Sequence, residues 1–459
     1  MRSGGSMSLK KVVIVGAGCA GLSAAYTLKK LGVEVQVFEA GSIAGGRCRT
    51  IVEDGYEFIA GAGSTEPQWA TTFQYLDELG LKDRIYSIQK QRFGMYRNGK
   101  VRTAFSGGSK WDTLKTLPEN LLFFLTAMPR QTFAQVKKVN EELDKYMKLV
   151  DTKSQRFEAL EEISNISTED FVLKYGGPEA LEWHFHPFLA TMVLGRPCEI
   201  SIAHPMAIFS LMKGMCSMKG GLGSITDALY TQVKDSVRLN THVKKIVIEK
   251  KKVTGVQIDS GFVAADLVIC ATDAFHARQL IPDLPNPMRK ALETCKYSST
   301  YYYQFGMQKP IVNTRQTPFH VVMIPPNADT ILDFVSLGSY SEDKPVVIAP
   351  TRGWEDEKLN ALSEEERRRL VITDIQKVCP AFPDEPVKTK VFRWDRAVNL
   401  EAPGQYAAIQ DLLKNHYRDI EGLYLAGEYL FLFACTEGAL KTGQQAAKLV
   451  ADDITKTNA

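Results

Sequence analysis

The chain has 459 residues, 44% of them hydrophobic and 24% charged, proportions that exclude a disordered chain and a length that excludes a small binding module. Its 56 basic and 53 acidic residues leave a net charge of +3, too little to cover a nucleic-acid-sized surface without strong clustering. The eight cysteines are never spaced as CxxC, which indicates neither a disulfide framework nor a zinc site and suits a cytoplasmic location, and no apolar run nears the roughly 18 residues of a membrane span.

The leader Met1 to Ser6 (MRSGGS) reads as a cloning remnant, with Met7 as the native start. Val12 to Val15 (VVIV) is a β-branched run suited to a strand buried on both faces of a parallel sheet. Gly16-Ala17-Gly18-Cys19-Ala20-Gly21 follows directly. Leu22, Ala25, Leu28 and Leu31 then predict a helix ended by Gly32, and Val33 to Phe38 alternates as a second strand ending at Glu39. This is a βαβ unit with a dinucleotide-binding pattern. Gly16 permits the tight turn, Gly18 lets the backbone approach a pyrophosphate, and Gly21 allows close packing. The helix N-terminus, with Cys19 and Ala20 in its first turn, offers N–H groups to phosphate. Glu39, 23 residues after Gly16, is placed to accept ribose hydroxyls. Beyond Ala40, Gly45-Gly46-Arg47 adds a second glycine cradle and a basic residue. An NAD site needs no such addition, whereas the longer FAD can use a further backbone approach and an arginine on its pyrophosphate.

These residues resemble the flavin amine oxidase, protoporphyrinogen oxidase and phytoene desaturase superfamily, whose pattern is GxGxxG followed by EAxxxxGGRxxT. The resemblance implies an α/β fold: a Rossmann-type FAD-binding domain built on a parallel sheet, interleaved with an α+β substrate domain. It implies that Arg47 contacts the pyrophosphate and that Gly61 and Ala62 run beneath the flavin ring. Ile59 stands where the family often has an aspartate. Lys219 to Ile225 resembles the loop returning the chain to the FAD domain, and Val243 the residue whose backbone holds the adenine. Thr241 to Ile248 and Val253 to Ile258 read as a hairpin with the Lys250–Lys252 run at its solvated tip. Val268 to Thr272, including Ala271, reads as another buried strand ending near the cofactor. Near the C-terminus, Leu423 to Glu428 reads as an apolar strand ending in Gly427-Glu428, and Thr436 as the cap of a helix running to Val450. By resemblance Glu428 bonds the ribityl chain and that helix points at the pyrimidine end of the flavin.

The expected FAD-binding domain comprises residues 7–89, 215–287 and 390–459, and the substrate domain 90–214 and 288–389. In the latter, Leu114, Leu117, Leu121, Leu122, Phe124, Leu125 and Met128 predict a helix, followed by a polar helix from Gln135 to Leu149. Phe123-Phe124-Leu125 can touch a membrane surface, but packing on its own domain is the favoured reading. Trp183 to Phe188 is dense in rings. Its HxH spacing lacks a third metal ligand nearby, so no metal is expected, and His186 is read as a polar group of a pocket. Tyr302 stands eight residues before Pro310, where the amine oxidases carry a lysine against flavin N5, and Trp394 lies in an RWxxA-like segment bordering the flavin. Eight residues before Gly404, where monoamine oxidases tether their flavin through cysteine, stands Arg396. The FAD is therefore expected to be non-covalent.

The sequence thus reads as an FAD-dependent oxidoreductase removing hydride from a largely apolar or cyclic small molecule, protoporphyrinogen-oxidase-like or desaturase-like. An amine or amino-acid oxidase is the alternative, and a non-redox protein using FAD structurally or for isomerisation a third reading. Oxygen and a quinone both remain open as electron acceptor, and no acid or base is assigned.

Overall fold

The computed structural model describes residues 10–151, 155, 157–212, 214–311, 319–338 and 344–458. The leader and Met7 lie outside the described residues. Val12–Val15 is the central strand of a five-stranded sheet, flanked by Leu267–Cys270 and Val35–Phe38, with Leu423–Leu425 and Val237–Arg238 at the edges. Every pairing in it is parallel. All four residues of the central strand are buried, as a β-branched run covered on both faces requires. One face packs on helices Cys19–Lys30 and Thr436–Asn458 through Leu22, Leu28, Leu440 and Val450. The other packs on the antiparallel strands Val243–Glu249 and Lys252–Ile258, whose tip holds Lys250 and Lys251 at positive φ.

A second, seven-stranded sheet runs in the order Lys388–Trp394, Thr300–Gly306, Val346–Pro350, Phe334–Ser336, Phe319–Met323, Lys90–Arg97, Lys100–Gly107. The boundary expected at residue 390 falls inside the first of these strands. Successive side chains alternate between faces. Tyr303, Phe305, Val322, Val335 and Val347 enter a core covered by helix Glu364–Val378. Tyr302, Val321, Phe334 and Ile348 take the opposite face, which borders a cavity.

The two ends of the chain are tied by a buried carboxylate. Glu437 accepts the backbone N–H groups of Thr71 and Thr72 at 3.0 and 2.8 Å and the Thr72 hydroxyl at 2.8 Å. These amides begin helix Ala70–Glu78, so Glu437 satisfies donors that have no intrahelical partner.

The expected apolar helix forms as Lys110–Thr126, with Ser109 and Asp112 in a capping box. It packs on its own domain, but with the opposite face from the one expected. Phe123 is its one buried residue, while Leu114, Leu117, Leu121, Leu122, Phe124 and Leu125 face solvent. The hairpin beneath it is the cause. Arg92 and Lys90 demand carboxylates, which Glu119 and Asp112 supply at 2.9 and 3.2 Å. The amide of Asn120 bonds both the N–H and the C=O of Phe105, at 2.7 and 3.0 Å, on the sheet's edge strand. The polar helix expected from Gln135 begins earlier, at Arg130 directly after Pro129, and ends at Met147.

Candidate active site

A cavity of about 700 Å³ opens between the two sheets, within the range of small-molecule and cofactor sites. At one end it meets the βαβ unit. Gly16 turns the chain at φ +98°, and Gly21 lies so close beneath it that an added Cβ would meet the Gly16 carbonyl oxygen at 1.9 Å. Nothing lies within 4 Å of the corresponding position on Gly18, which faces the cavity with Cys19 and Ala20. Helix Cys19–Lys30 has no side-chain cap and no acidic residue in its first turn. Its N-terminal amides therefore suit an anion. The Glu39 carboxylate accepts the Ala17 N–H at 2.7 Å and the Gly41 N–H at 2.8 Å. Both oxygens are fixed by backbone, and a carboxylate retains further acceptor capacity. Ala40 and Val243 complete this end.

Gly45 bridges Gly18 as a parallel partner and donates its N–H to the Ala17 carbonyl at 2.8 Å, setting Gly46 and Arg47 along the same wall. Arg47 donates to the Ala397 carbonyl at 2.9 Å and to Glu428 Oε1 at 2.7 Å. Burial opposes the arginine's charge most strongly, but Glu428, Tyr297 and Asp273 around it together outweigh burial and raise its pKa. Gly427 and Ala271 border the same stretch. Sequence reasoning passed over a second charged cluster here. Asp273 accepts from the His276 ring at 2.6 Å, Arg396 reaches the other ring nitrogen at 3.2 Å, and Asp273 and His276 line the cavity.

Gly61 and Ala62 line the middle. Their segment is held by the Ala62 N–H to the Arg47 carbonyl at 3.2 Å and by Trp394, whose indole N–H donates to the Ala60 carbonyl at 2.8 Å. The Ile59 backbone is held from the second sheet. Buried Gln304 accepts the Ile59 N–H at 2.9 Å and donates to the Ile59 carbonyl at 2.6 Å. The far half is walled by Tyr302, Trp394, Val321, Phe334 and Ile348 from the sheet, and by Met192, Leu194, Met212 and Met215 opposite. The resemblance flagged Tyr302 and Trp394, and only the sheet's period-two alternation could have flagged Val321, Phe334 and Ile348; the methionines carry no sequence signal of their own. Among the described lining residues the lysines and arginines are Arg47 and Lys244, and neither lies in this half.

Two expectations are corrected. His186 does not line this cavity. It lies on another face of helix His186–Val193 from Thr191 and Met192, packed edge-on to Trp354, and burial beside Arg352 and Arg196 lowers it to about 4. Gly21, read from the sequence as a close-packing glycine of the cofactor motif, packs directly beneath Gly16 and does not itself line the cavity. Thr436 lines the cavity without capping its helix: its hydroxyl lies 3.9 Å from the Cys48 sulfur, and the Gly438 N–H is taken by Cys435 Sγ at 3.5 Å.

A family model described as flavin containing amine oxidoreductase matches residues 19–451. The chain belongs to that family. Membership makes the protein an oxidoreductase and its cofactor a flavin. The mitochondrial protoporphyrinogen oxidase of Nicotiana tabacum is 25% identical over 516 residues, covering 96% of this chain and 95% of that protein. An L-amino-acid oxidase of Protobothrops flavoviridis is 27% identical over 312 residues, covering 63% of this chain but only 57% of that oxidase. The solved cyclohexylamine oxidase of Brevibacterium oxydans has a TM-score of 0.73 at 18% identity, covering 97% of this chain and 99% of that one, a likeness of fold alone. The cavity fits a flavin nucleotide on its own geometry, since the uncapped helix N-terminus and the open space at Gly18 form a cradle that a side chain would fill.

Glu401 shows what this charge arrangement demands. It is buried at φ +49°. Burial, and then the Glu428 charge, raise its pKa well above the ordinary range. A carboxyl whose folded pKa is raised binds its proton more tightly when folded, so its contribution is intact below the unfolded value of about 4.3 and is lost as pH rises toward the folded one. Glu401→Gln removes the titration. The variant should melt close to the unaltered protein at pH 4 and above it at pH 8, in thermal unfolding followed by flavin fluorescence; an unchanged difference between the two pH values would contradict the assignment.

Proposed function

We propose that the chain binds FAD without a covalent link and uses it to withdraw hydride from a largely apolar or cyclic organic substrate. The observation that carries this reading is the far half of the cavity, with apolar and aromatic walls, no lysine or arginine among its described lining residues, and Tyr302 where the resemblance places the amine oxidases' lysine. In the proposed arrangement the substrate domain, 90–214 and 288–389, supplies most of that half, and the FAD domain, 7–89, 215–287 and 390–459, supplies the other together with Met215 and Trp394.

In this reading the residues take the roles that the resemblance implies. The Gly16–Ala20 turn receives the pyrophosphate at a helix N-terminus, and Glu39 accepts ribose hydroxyls. Val243 holds the adenine by its backbone. Arg47 has five N–H donors, so its two bonds to Ala397 and Glu428 leave capacity for phosphate oxygens. Glu428 and Gly427 border the ribityl chain, and the N-terminus of Thr436–Asn458 faces the pyrimidine end, where negative charge gathers on reduction. Bound flavin supplies a hydride acceptor at N5. The protein's part is orientation and exclusion of water: Gln304 and Trp394 fix the Ile59–Ala62 backbone, and the sheet face holds the substrate against it.

One observation favours the amine reading. Glu66, a buried acidic side chain that accepts the Gly214 N–H at 2.9 Å, lines the same cavity, and an acidic group is the kind of wall an ammonium substrate would meet.

Acid precipitation should release a yellow supernatant that chromatographs as FAD, while colour left on the pellet would contradict non-covalent binding. Glu39→Ala should lose FAD on dialysis, each lost charge-assisted bond being worth about 1.5–3 kcal/mol; a full flavin complement would mean that another residue holds the ribose.

Peroxide formation with simple primary amines and L-amino acids should be negligible. Oxidation at the roughly 1–1000 per second usual for enzymes, abolished by Glu66→Gln, would promote the amine reading.

A further inference from the structure

Cys19, Cys48 and Cys435 all line the flavin cavity, and the first two meet. Cys19 opens helix Cys19–Lys30 directly after Gly18, and Cys48 closes the short turn Gly46–Cys48. The parallel bridge between Gly18 and Gly45 draws these segments together, so that a Cβ added to Gly46 would stand 3.4 Å from the Gly18 Cα. The two thiols that follow are hydrogen-bonded to each other. Both are buried, yet both reach the wall where the two glycine cradles join.

Their surroundings make them unequal. Cys48 directs its own S–H at the Leu222 carbonyl, 3.7 Å away, and its sulfur faces the Thr436 hydroxyl at 3.9 Å. Two donors, the Cys19 S–H and the Thr436 O–H, therefore meet the Cys48 lone pairs. The bond from Cys19 lowers the Cys48 thiol against burial, and Thr436 adds to it. The same bond, and then burial, raise Cys19 well above the ordinary thiol range. A thiolate is the attacking species in sulfur chemistry, and a neighbouring thiol condenses with the sulfenic acid that oxidation leaves. Cys48 suits the first part and Cys19 the second. Cys435 suits neither, since burial raises its thiol and its sulfur takes the Gly438 N–H at 3.5 Å.

We propose that Cys48 and Cys19 form a peroxide-reactive thiol pair at the flavin cradle, Cys48 attacking and Cys19 resolving, whose disulfide lowers retention of the cofactor. The inference rests on the reading of this cradle as the seat of the flavin pyrophosphate. In the first step the Cys48 thiolate attacks one oxygen of hydrogen peroxide: an S–O bond forms, the O–O bond breaks, and the departing hydroxide leaves as water with the proton that Cys48 gave up. In the second the Cys19 sulfur attacks the Cys48 sulfur: an S–S bond forms, the S–O bond breaks, and the hydroxyl leaves as a second water with the Cys19 proton. The thiols lose two electrons and the peroxide gains them. A disulfide holds its sulfurs well inside hydrogen-bond contact. Closing it therefore draws the turn that carries Arg47 against the bonds from Arg47 to Ala397 and Glu428.

The test treats the flavin-loaded full chain, freed of unbound FAD, with hydrogen peroxide, then unfolds it in iodoacetamide, digests it and maps cross-links by mass. A Cys19–Cys48 link should appear in step with flavin passing an ultrafiltration membrane, and dithiothreitol with added FAD should restore the bound spectrum. Dimedone present during oxidation should label Cys48, leave Cys19 unlabelled and prevent the link. Cys19→Ser should accumulate label on Cys48, and Cys48→Ser should leave Cys19 without label or link; where a serine variant holds no flavin, the dimedone pattern of the unaltered protein decides. Exposed Cys198 calibrates the dose. No Cys19–Cys48 link at a dose that oxidises Cys198, a link from Cys48 to Cys435, label on Cys19 in place of Cys48, or a complete link with the flavin still bound would overturn the proposal. Links and labels are read by mass whatever the flavin does, so their absence overturns the pair while the reading of the cofactor site stands.

Discussion

Arg47 and Glu428 stand 381 residues apart in the chain and 2.7 Å apart in space, and the arrangement of the site follows from keeping them together. Glu428 is buried and Arg47 half-buried, its exposed part toward the cavity. A charge removed from water costs several kcal/mol unless it is paired, so the C-terminal strand must end beside the Gly45–Arg47 turn. That draws the carboxyl ends of Val12–Val15 and Leu423–Leu425 to one side of the parallel sheet, where such folds place their ligands. The pair also bears on its surroundings: burial first, and then the neighbouring Glu428, disfavour a negative charge at Glu401 and drive its carboxyl toward the neutral form.

The rest of the chamber rests on strand alternation and on a few polar side chains that act at long range. One face of the seven-stranded sheet fills a core while the other is left as a wall, and Gln304 and Trp394 clamp the Ile59–Ala62 backbone between the two sheets. A side-chain amide satisfies the same backbone N–H and C=O that a local carboxylate would only half satisfy, since it both donates and accepts.

Much of the cofactor half was legible from the first fifty residues and the last forty, because turn geometry, helix termini and parallel strands impose residue types at fixed short spacings. The dependence of Glu437 on Thr71 and Thr72, of Ile59 on Gln304 and of Phe105 on Asn120 was not legible, because each joins residues whose separation obeys no period. His186 and Lys110–Thr126 show a different limit. Periodicity reports that a helix has an apolar face and a polar one, but it does not report which neighbour each face meets. In Lys110–Thr126 the lysine and arginine of the adjoining hairpin decide the matter, and the apolar face is left outward. Thr436 illustrates the same limit at a helix end, where Cys435 takes the amide that a hydroxyl was expected to bind.

The central claim is that the chamber beside Tyr302 is built for hydride removal from an apolar or cyclic molecule rather than from an amine. Anaerobic mixing of the purified flavoprotein with porphyrinogens, carotenoid precursors, cyclic ketones, primary amines and L-amino acids, while following loss of flavin absorbance, separates the two most directly. Rapid bleaching by a member of the first three classes with none from the amines or amino acids is the result expected. Bleaching by an amine or amino acid alone would contradict the account.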